Sequence, residues 1–189
     1  MTRPLARLKS PSPERSFCRS SVMNNTLLLP IVEETLTRYG LVYQVLECLP
    51  EMADTAAFCE YYKVSPDVAA NTILVVSRRV EPTRYAVCVV LGTTRLDVNR
   101  KVCEVMGVRR ASFADAEMTA QLTGMLIGGV VAIGIPDLPI YVDSTVLQRP
   151  EVLMGGGNRS SKLRLHPHEL LKLPNVTVVE NLTTPKEAA

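Results

Sequence analysis

Two apolar, β-branched segments that lie close together constrain the fold of this chain more than any other feature. Residues 72–76 read Thr-Ile-Leu-Val-Val, and residues 85–90 read Tyr-Ala-Val-Cys-Val-Val. Runs of this kind are typical of buried strands. The segment between them, 78–84, contains Pro82 and is expected to be a loop. The sequence therefore predicts a β-hairpin formed by these two segments.

Shorter patterns on both sides of the hairpin predict mixed secondary structure. Helical spacing with recognisable end signals predicts helices over Leu27–Tyr39 (ended by Gly40), after the N-cap Asp54, over Asp97–Met106 (ended by Gly107), over 115–122 and over 166–173. Further strands are predicted at 41–46, 138–142 and 176–179, and the alternation of Leu163 and Leu165 with Lys162 and Arg164 is also typical of a strand. Strands outnumber long helices and their order is irregular, so the predicted class is α+β.

Composition and charge describe a folded globular chain with a basic leading segment. Apolar residues make up 47% and charged residues 21% of the 189 residues, which favours one compact domain. Residues 1–22 carry five basic residues and one acidic residue among prolines and serines, and are expected to be a disordered tail ahead of a single domain over 23–189. The remaining 16 basic and 18 acidic residues leave that domain at −2. Any nucleic-acid contact would then use a local basic patch.

The cysteines and the apolar runs exclude two classes of protein. Five cysteines, an odd number with no C-x-x-C pair, argue against a disulfide framework or a zinc site and favour a reducing cytoplasm. No apolar stretch approaches the ~20 residues that span a bilayer, so a membrane partner is not expected.

Two glycine clusters mark loops with special backbone requirements. One contains Gly124, Gly128, Gly129 and Gly134, and the other is 155–157. Composition alone favours turns and bulges of a curved sheet, and leaves open a pocket lined by backbone N–H and C=O groups. Neither cluster matches a P-loop or a G-x-G-x-x-G dinucleotide loop.

Two polar constellations are explained by local structure. His166 and His168 flank Pro167, with Glu169 in the capping-box position, so a helix start is favoured over a metal site. Asp143 and the serine after it have no histidine tied to them, and a Ser-His-Asp triad is not supported.

Basic residues cluster in two further places. Arg159, Lys162, Arg164 and Lys172 favour a solvated face, with phosphate binding as the alternative. The second set is interspersed with Asp97 and Glu104, which favours a salt-bridged surface; it comprises Arg95, Arg100, Lys101, Arg109 and Arg110.

The order of several segments resembles a known family, the YbaK and prolyl-tRNA-synthetase-associated editing domains. The resemblance runs roughly from residue 53 to residue 179. It rests on Val-Ala-Ala-Asn-Thr-Ile-Leu-Val-Val at 68–76, Arg-Leu-Asp-Val at 95–98, the glycine-punctuated run 122–134, Leu-Pro-Ile-Tyr-Val-Asp at 138–143, Gly-Gly-Gly at 155–157 and Leu-Arg-Leu-His-Pro-His-Glu-Leu-Leu at 163–171.

The resemblance implies a fold, a substrate and a set of site residues. The fold would be a mixed, curved or barrel-like sheet flanked by helices. The activity would be trans-acting hydrolysis of the ester that joins a wrong amino acid to the 3′ end of a tRNA, without metal or cofactor, and an aminoacyl-tRNA synthetase is a candidate partner. A glycine loop would shape the amino-acid pocket and a lysine would hold the terminal nucleotide. Carried onto this chain, the catalytic positions are Gly128, Gly129 and Asn71, and the substrate-binding positions are Ala132, Gly134, Gly155, Gly156, Arg159 and Lys162.

Two positions depart from the family pattern. Asn71 stands where the family has its lysine, and Ala132 stands where the Gly-x-x-x-Pro loop has its proline. Three hypotheses therefore remain: an editing deacylase with altered activity, a catalytically inactive module that binds tRNA ends or a synthetase, and a small-molecule ester or nucleotide-derivative hydrolase. On the first hypothesis, Asn71→Lys should raise deacylation.

Overall fold

The computed structural model describes residues 27–135 and 137–186. The predicted tail over 1–22 lies outside these residues. The described part contains five α-helices: α1 Pro30–Arg38, α2 Thr55–Tyr62, α3 Lys101–Met106, α4 Ala116–Thr123 and α5 Ser144–Leu147. It contains ten strands: β1 Tyr43–Glu47, β2 Ala70–Ser77, β3 Tyr85–Leu91, β4 Thr94–Leu96, β5 Ala111–Phe113, β6 Ile140–Asp143, β7 Val152–Gly155, β8 Ser161–Leu165, β9 Val176–Val179 and β10 Thr183–Pro185.

The predicted hairpin forms the centre of the largest sheet. Strands β2 and β3 are antiparallel, with Ala70 opposite Leu91 at one end and Val76 opposite Tyr85 at the other. The sheet has the order β5-β2-β3-β6-β9, and β6 runs parallel to both β3 and β9. The sheet is therefore mixed, as the resemblance to the editing domains implied.

Two smaller sheets complete the α+β architecture. Strands β1, β8 and β7 form an antiparallel sheet, and β4 pairs with β10. An isolated bridge between Ala69 and Leu153 joins the three-stranded sheet to the start of β2. The expected α+β fold is confirmed, and within the described residues its sheets do not close into a barrel.

Apolar side chains fill both faces of the central sheet. On one face, α1 packs through Val32 and Leu36 against residues of β2, β3 and the segment 130–135. On the other face, Val102 and Met106 of α3 pack against Cys88 and Val90. Successive side chains of β3 point to opposite faces of the sheet. Because both faces are covered, β3 is buried along almost its whole length.

Several short elements differ from the sequence predictions. Strands β4, β5 and β10 have three residues each and depend on their pairing partners rather than on a local pattern. The segment after His166 is a 3₁₀ helix, Pro167–Lys172. Its capping box is incomplete, because Glu169 accepts hydrogen bonds from the Val42 N–H (2.7 Å) and Lys172 (2.7 Å) instead of reaching back to His166.

No helix in the part of the chain that the structure describes is long and apolar enough to cross a membrane.

Candidate active site

A cavity of about 260 Å³ opens at the start of β2. Its walls include the first turn of α2, the first half of β2, the loop after α4, the end of β7 and one side chain of β8. Its polar lining includes Asp54, Thr55, Asn71, Gly128 and Lys162. The cavity therefore combines backbone groups of the first glycine cluster with a buried cation.

Lys162 supplies that cation from strand β8. Its side chain is only 6% exposed, and its ammonium donates to the carbonyl oxygens of Ala53 (2.6 Å) and Gly128 (2.9 Å). The Nζ atom also lies 5.2 Å from the centroid of the Phe58 ring. An ammonium has three N–H donors, so one remains for a ligand in the cavity. The prediction of a solvated face was wrong for this residue.

Burial lowers the pKa of the Lys162 ammonium below its ordinary value of 10.5, because desolvation disfavours the charged form. The charges of Cys48 and Asp54 act in the opposite direction. Two carbonyl acceptors and an aromatic face thus hold a cation that water no longer solvates.

Arg159 fixes the same loop from the outer side. Its guanidinium donates to the Ile127 carbonyl (2.6 Å) and the Pro50 carbonyl (3.0 Å), and it pairs with the Asp54 carboxylate (3.2 Å). Asp54 occupies the predicted N-cap of α2, but its side chain makes no capping hydrogen bond. The carboxylate binds Arg159 instead, so β8 and the turn before it hold the start of α2 against the loop at 127–128.

The two glycine clusters contact each other through their backbones. A Cβ atom on Gly155 would overlap the carbonyl group of Gly129, and one on Gly129 would overlap the backbone of Asn158. The Gly157 N–H donates to the Gly129 carbonyl at 2.9 Å. Close backbone approach is therefore the physical requirement behind these glycines, and the contact supports the cavity wall at Gly155 from behind.

Gly128 has a further requirement, since its φ is +88° and a Cβ atom there would collide with the Arg159 guanidinium. Its N–H donates to no other described residue, whereas the Gly129 N–H donates to the Leu126 carbonyl (2.9 Å). Gly128 thus lines the cavity with an N–H group that has no acceptor among the described residues.

Asn71 lies at the second position of β2 and faces the cavity with an amide rather than a charge. Its Oδ1 accepts a hydrogen bond from the Thr55 hydroxyl. The cation of the cavity stands on β8, at Lys162, and not at position 71.

The structure brings only some of the sequence-predicted site residues together. Asn71, Gly128, Gly155 and Lys162 line the cavity, and Arg159 contacts its rim. The others lie elsewhere: Ala132 is 1% exposed in the core, Gly134 packs against the backbone of α1, Gly156 packs against Ser161, and Gly129 lies behind the wall.

Sequence reasoning missed most of the lining residues, among them Thr55, Phe58 and Asp54, whose carboxylate pairs with Arg159. The only signal was the N-cap pattern, which placed Asp54 at the start of α2. Nothing in a single sequence indicates that this helix start lies opposite Lys162.

The other polar constellations have structural roles. The His166 Nδ1 accepts from the His168 N–H (3.3 Å) and caps the 3₁₀ helix. Asp143 is buried and accepts from the Thr145 N–H (2.9 Å) and the Thr183 hydroxyl (3.1 Å). The described residues contain no group of three or more potential metal ligands.

Comparison with known proteins agrees with this geometry. Residues 49–173 match the model of the aminoacyl-tRNA editing domain. The chain is similar to the structure of "hypothetical protein APE2540", with 26% identity over 82% of this chain and 99% of that one and a TM-score of 0.72. It is also similar to a "putative trans-editing enzyme for prolyl tRNA synthetase", with 26% identity over 85% of this chain and 99% of that one and a TM-score of 0.68.

The matched range begins just before α2 and ends just after the 3₁₀ helix, so it contains every element that lines the cavity. It also covers about two thirds of the sequence. The chain therefore belongs to the aminoacyl-tRNA editing domain family.

Proposed function

We propose that this protein is a trans-acting deacylase, which hydrolyses the ester between a wrongly attached amino acid and the 3′-terminal ribose of a tRNA. The observation that carries the proposal is the convergence of Lys162 and the Gly128 backbone on one cavity. A cavity of about 260 Å³ suits an amino-acid side chain and the ester next to it.

The chemistry requires donors for a developing oxyanion more than it requires a nucleophilic side chain. When water attacks the ester carbonyl, negative charge builds on the carbonyl oxygen, and donors fixed in advance stabilise that charge. On this proposal the donors would be the Gly128 N–H, which donates to no other described residue, and the third N–H of Lys162. Positioning of the water and the ester supplies the remaining acceleration.

Asn71 and Thr55 would hold the ribose end of the substrate. Because the Asn71 Oδ1 accepts from Thr55, its Nδ2 remains as the donor that would bind the substrate. An amide donor binds a ribose hydroxyl without adding charge. The side chains that set amino-acid specificity are then the apolar ones of β2 and the loop, among them Ile73, Ile127 and Val130.

The test is deacylation of a panel of mischarged tRNAs by the full chain. The panel should include the proline tRNA mischarged with alanine or cysteine and the threonine tRNA mischarged with serine. The proline tRNA is chosen because the chain is similar to a protein described as a putative trans-editing enzyme for prolyl-tRNA synthetase. Gly128→Val is the control, because a side chain there would displace the Arg159 guanidinium from the loop. Hydrolysis that Gly128→Val abolishes supports the proposal.

A module that binds tRNA ends or a synthetase without catalysis is the competing function. It is favoured by one observation, the uncharged Asn71 at the position of the family lysine. Folded protein that binds tRNA and leaves every ester in the panel intact would establish that function and overturn the deacylase.

A further inference from the structure

Four arginines that belong to none of the described ion pairs surround an open cleft of about 530 Å³. Arg78 and Arg79 follow the end of β2, and Arg109 and Arg110 lie between α3 and β5. All four are exposed, and no carboxylate lines the cleft. We call this the arginine cleft.

The acidic residues that sequence analysis placed in this region are engaged elsewhere. Glu104 pairs with Lys101 at 2.8 Å, and Asp97 accepts from the Arg100 N–H at 3.1 Å. The expected salt-bridged surface therefore does not extend to Arg109 and Arg110. Four guanidinium groups that surround one cleft without a carboxylate repel each other, and an anionic ligand would relieve that repulsion.

The backbone of the arginine cleft is held in place. The Arg78 N–H donates to the Arg110 carbonyl (2.9 Å), and the Arg78 Nε donates to the Ser112 hydroxyl (2.6 Å). These bonds tie the start of the hairpin loop to β5, so the two arginine pairs are presented on one face. Asn99 adds a neutral polar side chain to the lining.

We propose that the arginine cleft binds the phosphodiester backbone of the RNA whose aminoacylated end enters the cavity. Guanidinium groups bind phosphates through paired N–H donors, and an open cleft suits an extended polyanion. The cavity and the cleft lie at opposite ends of β2, since Asn71 and Arg78 are seven residues or about 23 Å apart along the strand. This inference rests on the proposed function for the identity of the RNA.

That separation predicts which phosphates bind. At ~3.4 Å per stacked nucleotide, 23 Å corresponds to about seven nucleotides. The arginine cleft would then contact the stem of a tRNA, several nucleotides before the 3′ end, and not the terminal adenosine.

The test compares two double variants of the full chain in tRNA binding at several salt concentrations. Arg109→Gln/Arg110→Gln removes two charges from the arginine cleft, and Arg38→Gln/Lys172→Gln removes two charges that are already paired with carboxylates. Both proteins keep the basic residues 1–22. Each lost phosphate contact should lower affinity about 5- to 8-fold at 0.1 M salt and reduce the salt slope by ~0.7–0.9. We expect about 25-fold weaker binding or more for the cleft variant and less than 3-fold for the control.

A second measurement separates this inference from the proposed function. Hydrolysis of a short ester, an amino acid on adenosine, should be the same in the cleft variant and the control, while KM for the aminoacyl-tRNA rises only in the cleft variant. Lost tRNA binding in the cleft variant supports the inference even if no ester is hydrolysed. Equal tRNA binding by both variants overturns the inference. Binding of polyglutamate but not of tRNA at the arginine cleft also overturns it, because the ligand would then be an acidic protein.

Discussion

The two ends of strand β2 carry positive charge in opposite physical states. At the cavity end, Lys162 is buried and its ammonium donates to two backbone carbonyls. At the other end, Arg78, Arg79, Arg109 and Arg110 are exposed and stand in no ion pair of the described residues. A desolvated charge acts over a short distance on one bound group, whereas an exposed cluster acts at long range and is screened by salt. On the two proposals above, the cavity end would therefore bind the reacting ester, and the cleft end would attract the RNA from solution.

The largest expected effect comes from removing the buried charge. Lys162→Met should lower kcat/KM for a mischarged tRNA by about 100- to 1,000-fold, because an oxyanion donor in a dry site is lost. Deacylation assays measure this, with far-UV circular dichroism to verify folding. Lys172→Met, which removes a half-exposed lysine on the surface, should retain activity. Activity of Lys162→Met within threefold of wild type would remove the cavity from the mechanism.

Substitution of a glycine in the packed backbone behind the cavity wall should have the second-largest effect, and this effect is on stability. Gly155→Ala should lower the free energy of unfolding by about 3 kcal/mol, since its methyl group would overlap the Gly129 carbonyl and backbone cannot move aside cheaply. Urea denaturation measures the change. Gly40→Ala is the matched control, with no neighbour within 4 Å and only the strain of φ +59°, about 1 kcal/mol. Equal losses for both variants would show that the glycine contact is not tight.

The role of Asn71 gives a smaller and more specific effect. Because Lys162 already supplies a cation to the cavity, Asn71→Lys should raise the activity of the Lys162→Met variant, by about 10-fold, more than that of the wild type. This sharpens the expectation from sequence that Asn71→Lys alone raises activity. The wild type, Asn71→Lys, Lys162→Met and the double variant, assayed on one mischarged tRNA, give the coupling energy between positions 71 and 162. Equal effects in both backgrounds would mean that the two positions act independently.

The smallest effect concerns pH. The lowered pKa of Lys162 means that the folded protein releases this proton at a lower pH than the unfolded chain does. Between the lowered pKa and 10.5 the unfolded state binds more protons, so this residue's contribution makes stability rise with pH. Burial raises the pKa values of the buried cysteines, so their contribution to stability changes with pH in the opposite direction. Urea denaturation of the wild type and of Lys162→Met, from pH 7 upward, measures the free energy of unfolding of both proteins, and the difference between them isolates the contribution of Lys162. A pH-independent difference would show that Lys162 is well solvated.

Elements that carry their own sequence pattern were predicted, and elements that depend on distant partners were not. The hairpin, α1, α2, α4, β6 and β9 were predicted near their observed positions, because each carries its own apolar period or end signal. Strands β4, β5 and β10 were missed, since three-residue edges are stabilised by partners distant in sequence.

The sequence by itself determined the α+β class, the hairpin, the need for glycine in two loops and the resemblance to editing domains, since these follow from local pattern and segment order. Only the tertiary structure decided which charges are buried. Lys162 alternates with apolar residues in a way that also describes a solvated strand face, and Arg109 is interspersed with acids that could have paired with it. The physical reason is that desolvation and ion pairing depend on which surfaces meet across 100 residues of chain, as when β8 contacts the start of α2.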